Sequence, residues 1–242
     1  MFQPLNTVGT QSIQSLNAVD TTQRHPLGFM VDAYDPYWGP GRFIYAVAGG
    51  TINQFGVCAL SSVYNSTTKR WDLTANHVAN TANLGTSVGV AMLAATVGQF
   101  MWIMLQGVTP IKSGASVAAD TAFGITAAGT VGANSAGKQI LNARIQAAAT
   151  TTVAKANCVG VSGASVIQVP DSDGWFVGAY LSGTGVGTNA VVTAIATDGR
   201  SVTVSVVNSA AISGTVTATY NNATIFYNVA ALFQPFAQGA IT

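Results

Sequence analysis

The chain has 242 residues, of which 9 are basic and 8 are acidic, so charged residues make up 7% of the sequence and the net charge is +1. Soluble domains usually contain about 25% charged residues. Duplex DNA and anionic membranes are bound by clusters of basic side chains, and this sequence has no such cluster, so neither nucleic acid nor a membrane is an expected partner.

The remaining composition favours strands over helices. Every acidic residue is Asp, whereas surface helices are normally rich in Glu and Lys, and Val, Thr and 26 Gly occupy much of the chain. A hydrophobic content of 49% is sufficient for a core. We therefore predict an all-β protein, and its weakly charged surface favours association with other subunits.

Residues 1–27 are predicted to form an extended N-terminal arm, because their isolated apolar side chains follow neither strand nor helix periodicity. Two interpretations stay open: a frayed terminus, or an arm that becomes ordered on a neighbouring subunit. In the second case the candidate interface residues are Phe2, Leu5, Ile13 and Leu16. The segment has no basic stretch followed by a long apolar run, so it is not expected to be a secretory signal.

A main β domain is predicted over residues 28–155, as a β-sandwich or a barrel-like fold. It begins with a strand, a turn and a strand, and continues with short apolar runs separated by turn residues. Aromatic residues are concentrated near its start, where they are either core residues or interface anchors. These residues are Tyr34, Tyr37, Trp38, Phe43 and Tyr45.

The apolar stretch from Val88 to Gln106 has the length of a membrane-spanning helix. Gly98 and Gln99 divide it into two pieces of strand length, so paired strands are predicted instead. Residues 112–138 have few bulky side chains and are predicted to form two short strands with loops.

A small inserted β module is predicted over residues 156–222. Apolar and polar residues alternate cleanly there, and Asp198-Gly199 is a hairpin turn signal. Bulky aromatic residues return over 223–242, so this tail is predicted to complete the main domain.

The residues available for catalysis are few: two His, two Cys and no Glu. Neither His25 nor His77 lies in a recognisable catalytic motif, so the chain is not expected to be an enzyme, although a Cys–His pair formed in three dimensions stays open. Cys58 and Cys158 have no metal-site or disulfide spacing and are predicted to be buried free thiols.

No metal or cofactor is expected. Asp171-Ser-Asp173-Gly174 resembles the start of a calcium loop, but the Glu that completes such a loop is absent, so turn capping is predicted. Asp32 and Asp35 are interpreted in the same way. The glycine-rich run at 181–189 has its third glycine one place too early for a dinucleotide loop and is predicted to be a β turn.

A pattern of small residues runs through the middle of the chain and comprises Gly89, Val90, Ala91, Ala95, Gly98, Gln99, Trp102 and Gly107. With this pattern, and with Ile103 where the pattern has Val, two parts of the chain, 28–150 and 158–219, resemble capsid decoration (cement) and related head structural proteins of tailed bacteriophages. The long arm and the inserted module depart from the shortest members.

The resemblance implies a β-rich virion protein with no catalytic residue. Such a subunit is made in the host cytoplasm, is commonly trimeric, and binds the major capsid protein across capsomer junctions on the capsid exterior. The alternative function is that of a tail or fibre-associated protein that binds a host receptor or glycan. Its candidate contacts are an exposed group in the module, Trp175, Phe176 and Tyr180.

Overall fold

A computed structural model describes residues 3–4, 15–16, 18–35, 37–222 and 225–239. The predicted all-β class is confirmed: these residues form strands and turns with no helix, arranged in two sheets. Contacts divide the chain into two units. The first ends at Ala148 and resumes at Tyr227, and the second runs over Ala149–Phe226.

The first sheet has eleven strands. They are β1 Gln3–Pro4, β2 Met30–Asp35, β3 Gly39–Ala48, β4 Val57–Asn65, β5 Arg70–His77, β6 Leu84–Ala91, β7 Phe100–Ser113, β8 Phe123–Ala127, β9 Thr130–Ala133, β10 Ile140–Ala147 and β17 Phe226–Gly239. Five of them close into a ring, in which β3 pairs with β5, β5 with β4, β4 with β6, β6 with β7, and β7 again with β3. The β3–β5 pair is parallel and the other four are antiparallel.

The ring is filled by small side chains. Strand number sets the width of a closed ring, so five strands leave a narrow interior. Each of the five strands contributes to the buried cluster, which comprises Ala46, Ala48, Ile52, Cys58, Ala75, Ala91, Ala95, Met101 and Ile103. Packing is close at Gly89 of β6, where an added Cβ would lie 2.5 Å from the Ile103 Cγ2 and 2.8 Å from the Met104 carbonyl oxygen.

The opposite face of β3 and β7 is aromatic. Tyr45 and Trp102 are cross-strand partners with ring centroids 5.0 Å apart. His25 packs on both rings, at 5.2 Å and 5.6 Å, and is itself buried. Phe43 and Tyr45 are fully buried, so these two members of the predicted aromatic group belong to the core.

The described part of the predicted arm is anchored on its own chain. The backbone of Asp20 makes two hydrogen bonds with Phe100, of 2.8 and 3.1 Å. Leu16 is 3% exposed, so it packs within its own chain and is not available as a contact for a neighbour. Phe2, Leu5 and Ile13 lie outside the described residues.

The two strands predicted within 88–106 are confirmed as β6 and β7, and Gly98 in the connection has a positive φ of 82°. The two short strands predicted within 112–138 are confirmed as β8 and β9. In the described part of the chain, no helix has the length and apolar character needed to cross a membrane.

The second unit contains a six-stranded antiparallel sheet in the order β13-β16-β11-β12-β15-β14. The strands are β11 Thr152–Gly160, β12 Val166–Gln168, β13 Tyr180–Ser182, β14 Val192–Ile195, β15 Ser201–Val204 and β16 Ile212–Thr219. The unit begins earlier than the predicted module at 156, because β11 pairs along its length with β16. The predicted hairpin at Asp198-Gly199 joins β14 to β15.

Candidate interaction surfaces

The β4–β5 hairpin leaves the ring at its outer end. The pairings of β4 with β6 end at Ala59, and those of β3 with β5 lie at Thr74 and Ala75. In the described structure, residues 60–65 and 70–73 therefore pair only with each other, with Tyr64 opposite Trp71. We call this two-stranded segment, 60–73, the ribbon.

One face of the ribbon continues the core of the ring. Residues directly opposite in an antiparallel pair share a face, and every second residue returns to it. Moving outward, the face carries Cys58 and Ala75 in the core, then the partly buried Leu60, opposite Ala75, and Leu73, opposite the exposed Ser62. At its end it carries Tyr64, which is 49% exposed, and Trp71, which is 70% exposed. An apolar face thus runs from the core into solvent.

The end of the ribbon is also positively charged. Lys69 and Arg70 are exposed neighbours in sequence, and within the described residues neither forms an ion pair. Asp72 accepts a hydrogen bond of 2.7 Å from the Asn65 side-chain amide. The rings of Tyr64 and Trp71 have their centroids 5.5 Å apart and their planes tilted by 59°. We call Val63, Tyr64, Lys69, Arg70 and Trp71 the ribbon tip.

A second apolar surface, the β2 strip, comprises Met30, Tyr34 and Tyr37, which are all exposed. Between the first two, Asp32 pairs with Arg42 of β3 through hydrogen bonds of 2.7 and 3.2 Å. The hydrogen bond from Arg42 lowers the pKa of the Asp32 carboxyl below its usual value. Two of the predicted interface residues, Tyr34 and Tyr37, therefore lie on an exposed surface.

The neighbouring turn is held by Asp35, whose Oδ1 accepts hydrogen bonds of 2.9 Å from the backbone amides of Tyr37 and Trp38. The predicted turn-capping role is confirmed for Asp35 and is wrong for Asp32, which lies inside β2 and pairs with Arg42 across the sheet. Trp38 is partly buried, and its ring packs edge-on against that of Tyr37 with centroids 4.8 Å apart.

A third surface, the β10–β17 patch, comprises Leu141, Phe233 and Phe236. Leu141 and Phe236 are cross-strand partners. The register between β10 and β17 then shifts, and Asn142 and Gln234 both adopt positive φ angles, of 56°. Such irregularities change the direction of side chains, and the nearby Phe233 is 60% exposed.

The prediction that Trp175, Phe176 and Tyr180 form an exposed group in the second unit is wrong for the first two residues. Trp175 is 2% exposed and Phe176 is 4% exposed. The Trp175 indole Nε1 donates a hydrogen bond of 3.0 Å to the Val153 carbonyl, and Phe176 packs on Tyr220 with centroids 5.0 Å apart. Tyr180 is partly buried. Two of the three residues are therefore core, and the receptor-binding alternative loses its contact group.

Cys58 and His77 are cross-strand partners in the β4–β5 pairing. Burial raises the pKa of the Cys58 thiol to about 12, so the thiol stays protonated at neutral pH. Burial and the charge of Lys112 lower the pKa of His77, whose Nε2 accepts a 2.9 Å hydrogen bond from the Asn53 amide. This pair does not produce a thiolate nucleophile. The prediction that Cys58 and Cys158 are buried free thiols is confirmed.

The acidic turn of the second unit is capped by its own side chain, as predicted. Asp171 Oδ1 accepts a 3.1 Å hydrogen bond from the Asp173 amide, and the same carboxylate pairs with Lys155. Among the described residues, no three His, Cys or acidic side chains are grouped as they would be around a metal ion.

Sequence reasoning missed the ribbon tip. Residues 65–72 belong to the turn residues between two apolar runs, and Trp71 within them is not among the predicted interface residues. The available signal was the alternation on either side of that turn, which places Tyr64 and Trp71 on one face with Leu60 and Leu73.

Comparison of the chain with protein-family models, curated proteins and solved structures finds no match.

Proposed function

We propose that the chain is a structural protein of a tailed-bacteriophage particle that decorates the capsid exterior, binds the major capsid protein across capsomer junctions and stabilises the lattice. The resemblance noted in the sequence suggests this function and implies self-association, commonly as a trimer.

One observation supports the proposal most directly: the exposed aromatic residues form separate surfaces on one unit of a weakly charged chain. The ribbon tip, the β2 strip and the β10–β17 patch each contain at least one exposed aromatic ring. Large exposed apolar areas in soluble proteins mark interaction sites. Several such surfaces suit a lattice subunit with more than one neighbour, because each contact is modest and repetition adds avidity.

The physical role would follow from burial of these surfaces. Apolar area removed from water contributes roughly 25 cal/mol per Å² before the entropic costs of association. A subunit that bridges two capsomers adds this contribution to the cost of separating them. The particle would then resist heat and internal pressure better with the subunit than without it.

The experiment compares particles made with and without this gene. We expect mass spectrometry to detect the chain in purified complete particles and cryo-electron microscopy to place its density outside the capsid shell. We also expect particles that lack it to release DNA at a lower temperature. Absence of the chain from purified particles, or unchanged heat resistance without it, would contradict the proposal.

A further inference from the structure

We propose that the ribbon tip is the attachment element of this chain, and that it binds a protein surface in which an apolar groove is flanked by carboxylates. This inference rests on the proposed function and specifies the contact. It identifies Tyr64 and Trp71 as the apolar anchors and Lys69 and Arg70 as the charged contacts.

The first argument is the incomplete burial of the ribbon's apolar face. Two strands without further support are marginally stable in water, and here the outer part of the pair is exposed on both faces. The apolar face nevertheless continues in register from the ring core to Trp71. Trp and Tyr are also the side chains that most often dominate the binding energy of protein interfaces.

Charge identifies the partner. Within the described residues, four of the nine basic side chains form ion pairs with carboxylates of this chain: Arg24, Arg42, Arg144 and Lys155. Lys69 and Arg70 form none there, and they lie beside the most exposed aromatic pair, Tyr64 and Trp71. A surface that provides carboxylates around an apolar groove complements both features.

A second copy of this chain does not offer that combination. Asp20, Asp32, Asp120 and Asp171 are already ion-paired, and Asp35 is buried. Asp72 lies on the ribbon itself, where its carboxylate accepts a hydrogen bond from Asn65. Asp173 and Asp198 lie in turns of the second unit, whose large exposed apolar side chains are valines outside those two turns. Contact between two ribbon tips would bring four cations together. The complementary carboxylates therefore come from a different chain.

A lipid bilayer fits less well than a protein. The outer backbone edges of residues 60–65 and 70–73 have no strand partner in the described structure. Unsatisfied backbone groups are strongly unfavourable in hydrocarbon, whereas a protein groove can hydrogen-bond to them. Two cations also attract an anionic membrane only weakly.

The test adds purified full-length chain back to particles made without its gene and measures binding by co-sedimentation. We expect Trp71→Ser to weaken binding at least tenfold, and Lys69→Glu with Arg70→Glu to weaken it further as salt is lowered, because like charges then repel. The matched control is Val97→Ser, which removes a side chain that is also 70% exposed but lies outside the ribbon. Thermal unfolding of each variant checks that the fold is retained.

The outcomes separate this inference from the proposed function. If the unaltered chain does not bind particles, the proposed function fails. If it binds and the ribbon variants bind equally well, only the ribbon inference is overturned. Two further results would overturn it: Trp71-dependent self-association with unchanged particle binding, and Trp71-dependent flotation with phosphatidylcholine–phosphatidylserine vesicles but no Trp71-dependent particle binding.

Discussion

The two units of the chain differ in whether they expose aromatic residues. In the second unit Trp175, Phe176 and Tyr220 are buried, and the large exposed apolar side chains are all valines. In the first unit the ring interior is filled mostly by Ala, while Tyr34, Tyr64, Trp71 and Phe233 are exposed. Both units are all-β and sparsely charged, so composition alone does not distinguish them.

The difference follows from what each core contains. The buried cluster of the five-stranded ring holds aliphatic side chains, Met101 and Cys58, and the aromatic residues of the first unit pack outside it or remain exposed. In the second unit Trp175 and Phe176 belong to the core. The first unit thus holds the candidate contact surfaces, whereas the aromatic residues of the second stabilise its fold.

The largest expected effect uses one residue type in both units. Trp175→Ala removes a buried ring and its hydrogen bond to Val153, so we expect it to lower the free energy of unfolding by about 3–5 kcal/mol. Trp71→Ala, at an exposed position, should change it by less than about 0.5 kcal/mol. Denaturant unfolding of the two variants measures both values. Equal losses would remove the distinction between core and contact aromatics.

A smaller loss of stability is expected from adding a methyl group inside the ring at Gly89. A Cβ there would contact Ile103 and the backbone of Met104, so Gly89→Ala should destabilise the chain by about 1–3 kcal/mol. Gly50→Ala is the control, because its Cβ would lie 3.5 Å from the nearest atom, the Asn76 Oδ1, at ordinary contact distance. If Gly89→Ala and Gly50→Ala were both as stable as the unaltered chain, the packing around Gly89 would be less close than the structure shows.

The smallest effect is a pH dependence in the first unit. Burial lowers the pKa of His77 below its ordinary value of 6.5, so the unfolded chain binds more protons on acidification. Stability should fall as the pH drops from 7.5 to 5.5, by at most about 1.4 kcal/mol per pH unit for this residue. His77→Gln should make the decline shallower, leaving the contribution of His25, whose pKa burial also lowers. Denaturant unfolding across this pH range measures the free energy of unfolding of the unaltered chain and of His77→Gln. An equal decline in the two would contradict the prediction.

Much of the fold was predictable because strand periodicity is local. Alternation and turn residues identified β6 and β7 on either side of Gly98, and β14 and β15 on either side of Asp198-Gly199. Closure of the ring was not predictable in detail, because the parallel β3–β5 pair depends on contacts between residues far apart in sequence.

The candidate contact residues were also predictable only in part. The aromatic group near residue 40 was recognised, yet Tyr34 and Tyr37 are exposed while Phe43 and Tyr45 are core. Their local contexts are alike in sequence. What separates them is β7 and the segment around His25, which pack over one part of β3 and leave the β2 strip uncovered.

The sequence by itself determined the all-β class, the low charge, the buried free thiols and the turn-capping Asp residues, because each follows from composition or from neighbours within a few positions. Only the tertiary structure decided which apolar faces are covered. Alternation places Tyr64 and Trp71 on the face of Cys58 and Ala75, but exposure depends on where β3 and β6 stop pairing. Likewise, the burial of Trp175 depends on Val153, more than twenty residues away, which accepts the hydrogen bond from its indole.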